Sequence, residues 1–236
     1  MKRKMNNDFG FEMLPLPNQQ EKLTRKDITM SLYDYKLYGE ITEAENYIDL
    51  IDALRYSSPN DEFVIRINSG GGLLSTGNAI INAIKESPAH VHGYIESECG
   101  SCATFVFLAC DSHGFADDIE FFTHTASSGS YGKEHENFAR ATFSRKRIHR
   151  LIKETYAGLL TEQESQNVLN GQDYYFDKEE LQERLENYYE YQETLRAIEE
   201  QEFLDEINGF EDEESEDRDN DQLEIKVVKK KKILPS

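Results

Sequence analysis

Short apolar runs alternate with segments of helical periodicity between residues 35 and 157, and this alternation limits the fold more than any other feature. The runs that predict strands are 35–39, 63–67, 90–95 and Glu120–Thr123. Segments with apolar side chains at helical spacing are 41–54, 73–84 and 100–109, and Thr42 is expected to cap the first of them. Strands that alternate with helices are joined by crossovers, so we expect an α/β fold with a largely parallel sheet.

Charge is distributed unevenly along the chain. Asp and Glu number 46 against 26 Lys and Arg, and the formal charge of −20 comes largely from the sequence after Asp177. We therefore expect a globular domain over 31–190, an N-terminal arm over 1–30 and an acidic C-terminal extension over 191–236 with a basic patch at 226–232. Both tails are expected to be disordered or extended. Nucleic-acid binding is not expected, because it needs a basic face.

Cysteine usage indicates a reducing, cytoplasmic setting. The three cysteines, Cys99, Cys102 and Cys110, fall within twelve positions, and an odd count does not suggest a disulfide framework. The basic N-terminus is not followed by the apolar run of a signal peptide. No segment approaches the ~20 apolar residues of a membrane span, so we expect no membrane partner.

A polar segment at 134–156 carries apolar residues at helical spacing, which predicts a long helix with one apolar face. Such a helix needs a partner surface, either on its own domain or on a neighbouring subunit. Two further helices are predicted beyond it, at 162–169 and at 177–198, the second rich in Glu.

Two glycine-containing turns each follow a buried strand and open a helix. In the first, Gly70, Gly71 and Gly72 allow the backbone to approach a ligand and present N–H groups at a helix N-terminus, where negative charge is stabilised. In the second, Gly100 and Ser101 place a hydroxyl at the start of an apolar helix. Together the two turns could supply a nucleophile and an oxyanion hole.

Each of these features also has an ordinary structural explanation. Glycine turns are common, the spacing is neither a Rossmann fingerprint nor a Walker loop, and a serine before a helix is most often an N-cap. A metal site is not expected, because His90 and His92 share a strand face without an evident carboxylate or thiol partner and His113 is expected in a loop. No small-molecule cofactor is expected either.

In combination, these residues resemble the ClpP family of peptidases. Residues 67–72, Ile-Asn-Ser-Gly-Gly-Gly, are similar to the family's I-N-S-P-G-G turn, and residues 100–105 are similar to its A-A-S-M-G-A segment around the nucleophile. Residues 122–124 with Gly132 resemble the M-I-H segment and its downstream glycine, and residues 173–176 resemble the stretch with the third triad member. These landmarks occur in the family's order over positions 33–190.

The resemblance implies a serine endopeptidase with a ClpP/crotonase fold of repeated β-β-α units and a protruding handle helix at 134–156. Ser101 would be the nucleophile, His124 the general base and Asp173 the residue that orients the histidine. The N–H groups of Gly71 and Cys102 would form the oxyanion hole. The family further implies a homo-oligomeric ring, peptides or unfolded proteins as substrates, and an AAA+ unfoldase as partner.

Several alternatives stay open. Cys102 is a rival nucleophile if the register is shifted by one residue, and Asp177 rivals Asp173 one helical turn away. Gly70 stands where the family has proline, which could loosen the turn. A virus-encoded, ATPase-independent processing peptidase of the same superfamily and a catalytically inactive structural subunit are the other functional interpretations. A crotonase enzyme is disfavoured, because it would not need a serine triad.

Overall fold

The computed structural model describes residues 29–125 and 133–213. The strands are β1 (Leu32–Tyr38), β2 (Glu62–Ser69), β3 (His90–Gly100), β4 (Ser112–Phe115), β5 (Glu120–Thr123) and β6 (Tyr174–Phe176). The helices are α1 (Ile48–Arg55), α2 (Leu74–Glu86), α3 (Cys102–Leu108), α4 (Glu134–Thr155), α5 (Glu162–Leu169) and α6 (Lys178–Glu213). The N-terminal arm up to residue 28, Gly132 and the basic patch at 226–232 lie outside the described residues.

The six strands form one sheet in the order β1-β2-β3-β5-β6, with β4 also paired to β3. Strand β3 runs parallel to β2 on one side and to both β4 and β5 on the other, whereas β6 pairs antiparallel with β5. Helices α1, α2 and α3 connect the first four strands in turn. This is the α/β fold that the alternating sequence pattern predicts, and the largely parallel sheet follows from its crossovers.

The core lies on one face of the sheet. Along β3 the side chains of Val91 and Ile95 are fully buried, while those of His92, Tyr94 and Glu96 on the other face are only half-buried. Helices α1, α2 and α3 place their apolar residues against the buried face. The apolar side chains that alternate along the strands and those at helical spacing along the helices therefore pack into a single core.

Local details depart from the sequence-based expectations. The segment expected as one helix over 41–54 is a 3₁₀ turn (Ala44–Tyr47) followed by α1, and neither is capped by a side chain. The expected cap by Thr42 is wrong, because its hydroxyl accepts instead from the Asn46 side-chain amide. Strands β4 and β6 were not predicted, and α6 continues past residue 190 without a break.

Candidate active site

Ser101 lies at a sharp turn between a strand and a helix. Strand β3 ends at Gly100 and α3 begins at Cys102, so Ser101 alone joins the two elements. Its φ is 51° and its ψ is −122°, and within residues 29–125 and 133–213 it is the only non-glycine residue with positive φ. Such a conformation costs roughly 1–3 kcal/mol and is characteristic of a serine that projects its hydroxyl from a strand-to-helix turn.

The turn is held against the neighbouring strand β5. The Ser101 N–H donates to the carbonyl of Phe122 at 3.0 Å. A Cβ placed on Gly100 would lie 2.0 Å from the Phe122 ring, so only glycine allows this ring to pack beneath the turn. The pairing of β3 with β5 thus places Ser101 beside the end of β5.

His124 directly follows β5 and Asp173 directly precedes β6. The observed register pairs Phe122 with Tyr175 and Thr123 with Tyr174, and continued by one residue beyond the strands it would set His124 opposite Asp173. Directly opposed residues of antiparallel strands have Cβ atoms roughly 4.5–5.5 Å apart. The His124 ring lies near that of Phe122, with the two centroids 5.9 Å apart.

No hydrogen bond joins the side chains of Ser101, His124 and Asp173 to one another within the part of the chain that the structure describes. Ser101 and His124 are half-buried and Asp173 is exposed. Hydrogen bonds of catalytic groups are often long before substrate binds and shorten in the complex. A triad built from these residues would therefore have to complete its contacts when substrate binds.

Asp177 has a different role from Asp173. Its carboxylate accepts a hydrogen bond from the Glu180 N–H at 2.9 Å, which caps the N-terminus of α6. In the β5–β6 register Asp177 lies one residue beyond the pair Phe121–Phe176, at the opposite end of the ladder from His124. Asp173 and Asp177 are four residue steps apart along an extended strand, or roughly 13 Å.

Cys102 points away from the turn, into the interface with α2. Its thiol is nearly fully buried and donates to the carbonyl of Leu73 at 3.7 Å. A Cβ placed on Gly77 would lie 2.1 Å from the Cys102 Sγ, so this glycine makes room for the sulfur. Burial raises the pKa of Cys102 to about 11, which keeps the thiol protonated near neutral pH. This favours Ser101 over Cys102 as the nucleophile.

The glycine turn after β2 lies directly against the Ser101 turn. A Cβ on Gly71, whose φ is 101°, would lie 2.8 Å from the Gly100 carbonyl oxygen and 2.9 Å from the Cys102 nitrogen. The Cys102 N–H is the first of α3 and has no carbonyl acceptor within its own helix. The Gly71 N–H, however, donates to the Ser69 Oγ at 3.1 Å. An oxyanion would have to replace this oxygen or share the proton with it.

Comparison with known proteins identifies the family. The model of the Clp protease family matches residues 19–183. The chain belongs to the Clp protease family. No curated protein sequence matches the chain.

The fold of this Clp protease family member is also found among solved structures. A mutant of ClpP1 from Listeria monocytogenes matches it with a TM-score of 0.53 and 24% sequence identity. The match covers 64% of this chain and 86% of the Listeria chain. Within the described residues, no helix is both long and apolar enough to cross a membrane.

Gly70, which stands at the position where the resemblance implies a proline, lies beside the side chain of Glu98. A Cβ on Gly70 would lie 2.9 Å from the Oε1 of Glu98, a half-buried residue near the end of β3. The Glu98 N–H in turn donates to the Asn68 side chain at 3.3 Å. Because this oxygen is the far end of a flexible side chain, a residue larger than glycine would require the Glu98 carboxylate to move aside.

The remaining histidines have structural partners. His113 lies in β4 rather than in the expected loop; it donates from Nε2 to the Phe107 carbonyl at 2.9 Å and accepts at Nδ1 from the Tyr189 hydroxyl at 2.6 Å. Burial lowers the pKa of His113 to about 4, so its ring is neutral at physiological pH. His90 and His92 both contact the Ser112 hydroxyl.

Two further residues near the nucleophile were not predicted. The Thr104 Oγ1 donates to the Ser101 carbonyl at 2.6 Å and lies 2.5 Å from the Tyr156 hydroxyl. The spacing of Thr104, three residues after a helix-opening serine, is one at which a hydroxyl can bond to the preceding backbone. Tyr156 gives no comparable signal, because its contact spans 52 positions in the sequence.

Proposed function

We propose that this Clp protease family member is a serine endopeptidase in which Ser101, His124 and Asp173 form the catalytic triad. The observation that carries the proposal is the strand pairing around β5. The Ser101 N–H is bound to the Phe122 carbonyl, His124 follows two residues later, and the β5–β6 register, continued by one residue past Thr123 and Tyr174, would set Asp173 opposite His124.

Peptide hydrolysis follows from these roles. His124 takes the proton of Ser101 as its Oγ attacks the peptide carbonyl carbon, and returns that proton to the amine as the C–N bond breaks. Water then attacks the acyl ester, again losing its proton to His124, which reprotonates Ser101. Asp173 holds the imidazole tautomer and stabilises its charged form. The N–H groups of Cys102 and Gly71 would bind the oxyanion, and one such donor contributes roughly 3 kcal/mol.

Covalent labelling with a fluorophosphonate tests this assignment. The Ser101 Oγ is expected to bond to phosphorus as fluoride leaves, and peptide mapping should locate the label on Ser101. Ser101→Ala is expected to abolish labelling, whereas Ser97→Ala, an exposed serine on the same strand β3, should leave it unchanged. Labelling that is lost in Cys102→Ala but retained in Ser101→Ala would contradict the proposal.

A catalytically inactive structural subunit is the second candidate. It is favoured by the hydrogen bond from the Gly71 N–H to Ser69 and by the lack of side-chain hydrogen bonds within the triad among the described residues. A chain that is assembled and folded, yet unlabelled by the probe, would support this candidate instead.

We further propose that the subunit acts in a homo-oligomeric ring on peptides or unfolded proteins in the cytoplasm, with an AAA+ unfoldase as partner. Membership of the Clp protease family supports this proposal. Casein turnover is the appropriate assay. A requirement for unfoldase and ATP would support the ring peptidase, and turnover that is independent of both would support an ATPase-independent processing peptidase.

A further inference from the structure

A buried hydroxyl network joins the nucleophile turn to the end of α4. Tyr156 directly follows α4 and its side chain has no exposed surface. Its ring packs on Phe105 with centroids 5.1 Å apart, so the phenol is anchored against α3. A phenylalanine would fill the same volume without burying a polar atom. Packing alone therefore does not explain the buried hydroxyl of Tyr156.

The directions of the hydrogen bonds of Thr104 and Tyr156 follow from the single proton that each hydroxyl carries. The Thr104 hydroxyl has one proton and gives it to the Ser101 carbonyl at 2.6 Å. At 2.5 Å from this hydroxyl, the Tyr156 O–H must therefore be the donor and Thr104 the acceptor. The chain of bonds thus runs from Tyr156 through Thr104 to the carbonyl of Ser101, where φ is positive and the backbone is strained.

Thr123, the residue that precedes the proposed base, also carries a buried hydroxyl. The Thr123 Oγ1 is buried and makes no hydrogen bond within the described part of the chain. Burial raises the pKa of Tyr156 well above its ordinary value, and hydrogen bonding with Thr104 partly opposes this rise. The Ser101 turn is also bound to β5, the strand that precedes His124, because the Ser101 N–H donates to the Phe122 carbonyl at 3.0 Å. The bond from Thr104 to the Ser101 carbonyl therefore acts on a turn that is fixed to β5.

We infer that Tyr156 is a positioning residue that fixes Ser101 relative to His124 through the hydroxyl of Thr104. This inference rests on the proposed triad. Buried hydroxyl networks favour a single arrangement of the elements they join, because each unpaired member is costly. Tyr156 touches neither substrate nor the reacting atoms, and its effect is on the geometry of the Ser101 turn.

The test compares rates of fluorophosphonate labelling at Ser101 with thermal stability. Tyr156→Phe keeps the ring and removes the hydroxyl, and we expect the maximal labelling rate to fall about tenfold, with the probe concentration at half-saturation unchanged. Tyr188→Phe is the matched control. Its hydroxyl is also buried, but it donates to the Leu108 carbonyl at the far end of α3, at 3.1 Å. It should lower thermal stability similarly and leave the labelling rate unchanged.

Variants of Thr104 test whether Tyr156 acts through this residue. Thr104→Val should slow labelling at least as much as Tyr156→Phe, and the double variant should be no slower than Thr104→Val alone. Thr104→Ser keeps the hydroxyl and should retain the rate within about twofold. If Tyr156→Phe labels at the wild-type rate while folded, or if the two losses multiply, the inference is wrong although the triad stands. A wild type that does not label at all overturns both.

Discussion

At the scale of single residues, the proposed site depends on the close approach of Gly71 to the Ser101 turn. A Cβ on Gly71 would lie 2.8 Å from the Gly100 carbonyl oxygen and 2.8 Å from the Ser101 Cβ. The first is a backbone atom and the second is bonded directly to the backbone, so neither can move aside alone. In Gly71→Ala the two turns must separate, which displaces one oxyanion donor and the nucleophile together. We expect labelling of Ser101 to slow by roughly 100-fold or more, measured as the rate of fluorophosphonate incorporation.

Gly171→Ala provides the matched control for this substitution. Gly171 has a φ of 97°, close to the 101° of Gly71, but no atom lies within 4 Å of a Cβ built there. Both variants therefore suffer the left-handed strain of roughly 1–2 kcal/mol, and only Gly71→Ala suffers the clash. Equal labelling rates for the two variants would show that approach of the turns does not matter for reactivity.

The sequence could predict some members of the site and not others, for reasons that differ by residue. Ser101 and His124 stand in local motifs, so their neighbourhoods carry the information. The choice between Asp173 and Asp177 depends on the register of a three-residue strand, which no local pattern shows. The hydrogen bond from Gly71 to Ser69 and the contact of Tyr156 with Thr104 depend on tertiary packing, which local sequence patterns do not show.

At the scale of secondary-structure elements, α5 and α6 are joined by a partly buried ion pair. Arg184 of α6 donates to both carboxylate oxygens of Glu164 in α5, at 3.1 and 2.8 Å. The guanidinium carbon also lies 4.2 Å from the centre of the Phe176 ring. Glu164 additionally accepts from the Thr161 N–H, which completes a capping box at the start of α5.

This ion pair predicts a pH dependence of stability. The Arg184 hydrogen bonds, together with those of Thr161, lower the pKa of Glu164 from its ordinary value of 4.5 to about 2. Because the pKa is lowered by folding, the stabilisation is complete above pH 4.5 and is lost as the pH falls toward 2. We expect the free energy of unfolding of the wild type at pH 6 to exceed that of Glu164→Gln by about 2 kcal/mol. This value is smaller than the full pKa shift implies, because the ion pair is partly exposed to solvent.

Urea unfolding between pH 6 and pH 3 measures this difference, which should shrink by more than half at pH 3. Glu162→Gln is the control, because Glu162 lies in the same turn of α5 and pairs with Lys153 while its side chain stays 82% exposed. Its effect should stay below about 0.5 kcal/mol at every pH. A difference for Glu164→Gln that does not change with pH would mean that the ion pair is not the cause.

The elements themselves were predictable where their sequence patterns are clear. Helices α4 and α5 have nearly the expected bounds, and so does the four-residue strand β5, because Phe121 and Phe122 indicate a strand. Strand β4 has the same length but the sequence Ser-His-Gly-Phe, which has no such apolar run, and β6 has only three residues. Helix α6 was expected over 177–198 but extends to Glu213.

At the scale of the whole molecule, two surfaces of the single chain lack a covering partner among the described residues. Parallel sheets are almost always covered on both faces, yet His92, Tyr94 and Glu96 of β3 remain partly exposed on the face opposite the core. On α4, the phenyl rings of Phe138 and Phe143 are 75% and 69% exposed. Both features favour assembly with further copies of the chain, as the proposed ring requires.

The exposed rings of α4 allow assembly to be tested directly. We expect light scattering to give the wild type a mass that is a multiple of 27.3 kDa, and Phe138→Glu combined with Phe143→Glu to give a smaller species. The two carboxylates could not be buried between copies without a large desolvation cost. Arg140→Glu changes the net charge by the same two units at another exposed position of α4 and should leave the mass unchanged. A monomeric wild type, or a double variant of wild-type mass, would exclude these rings from assembly.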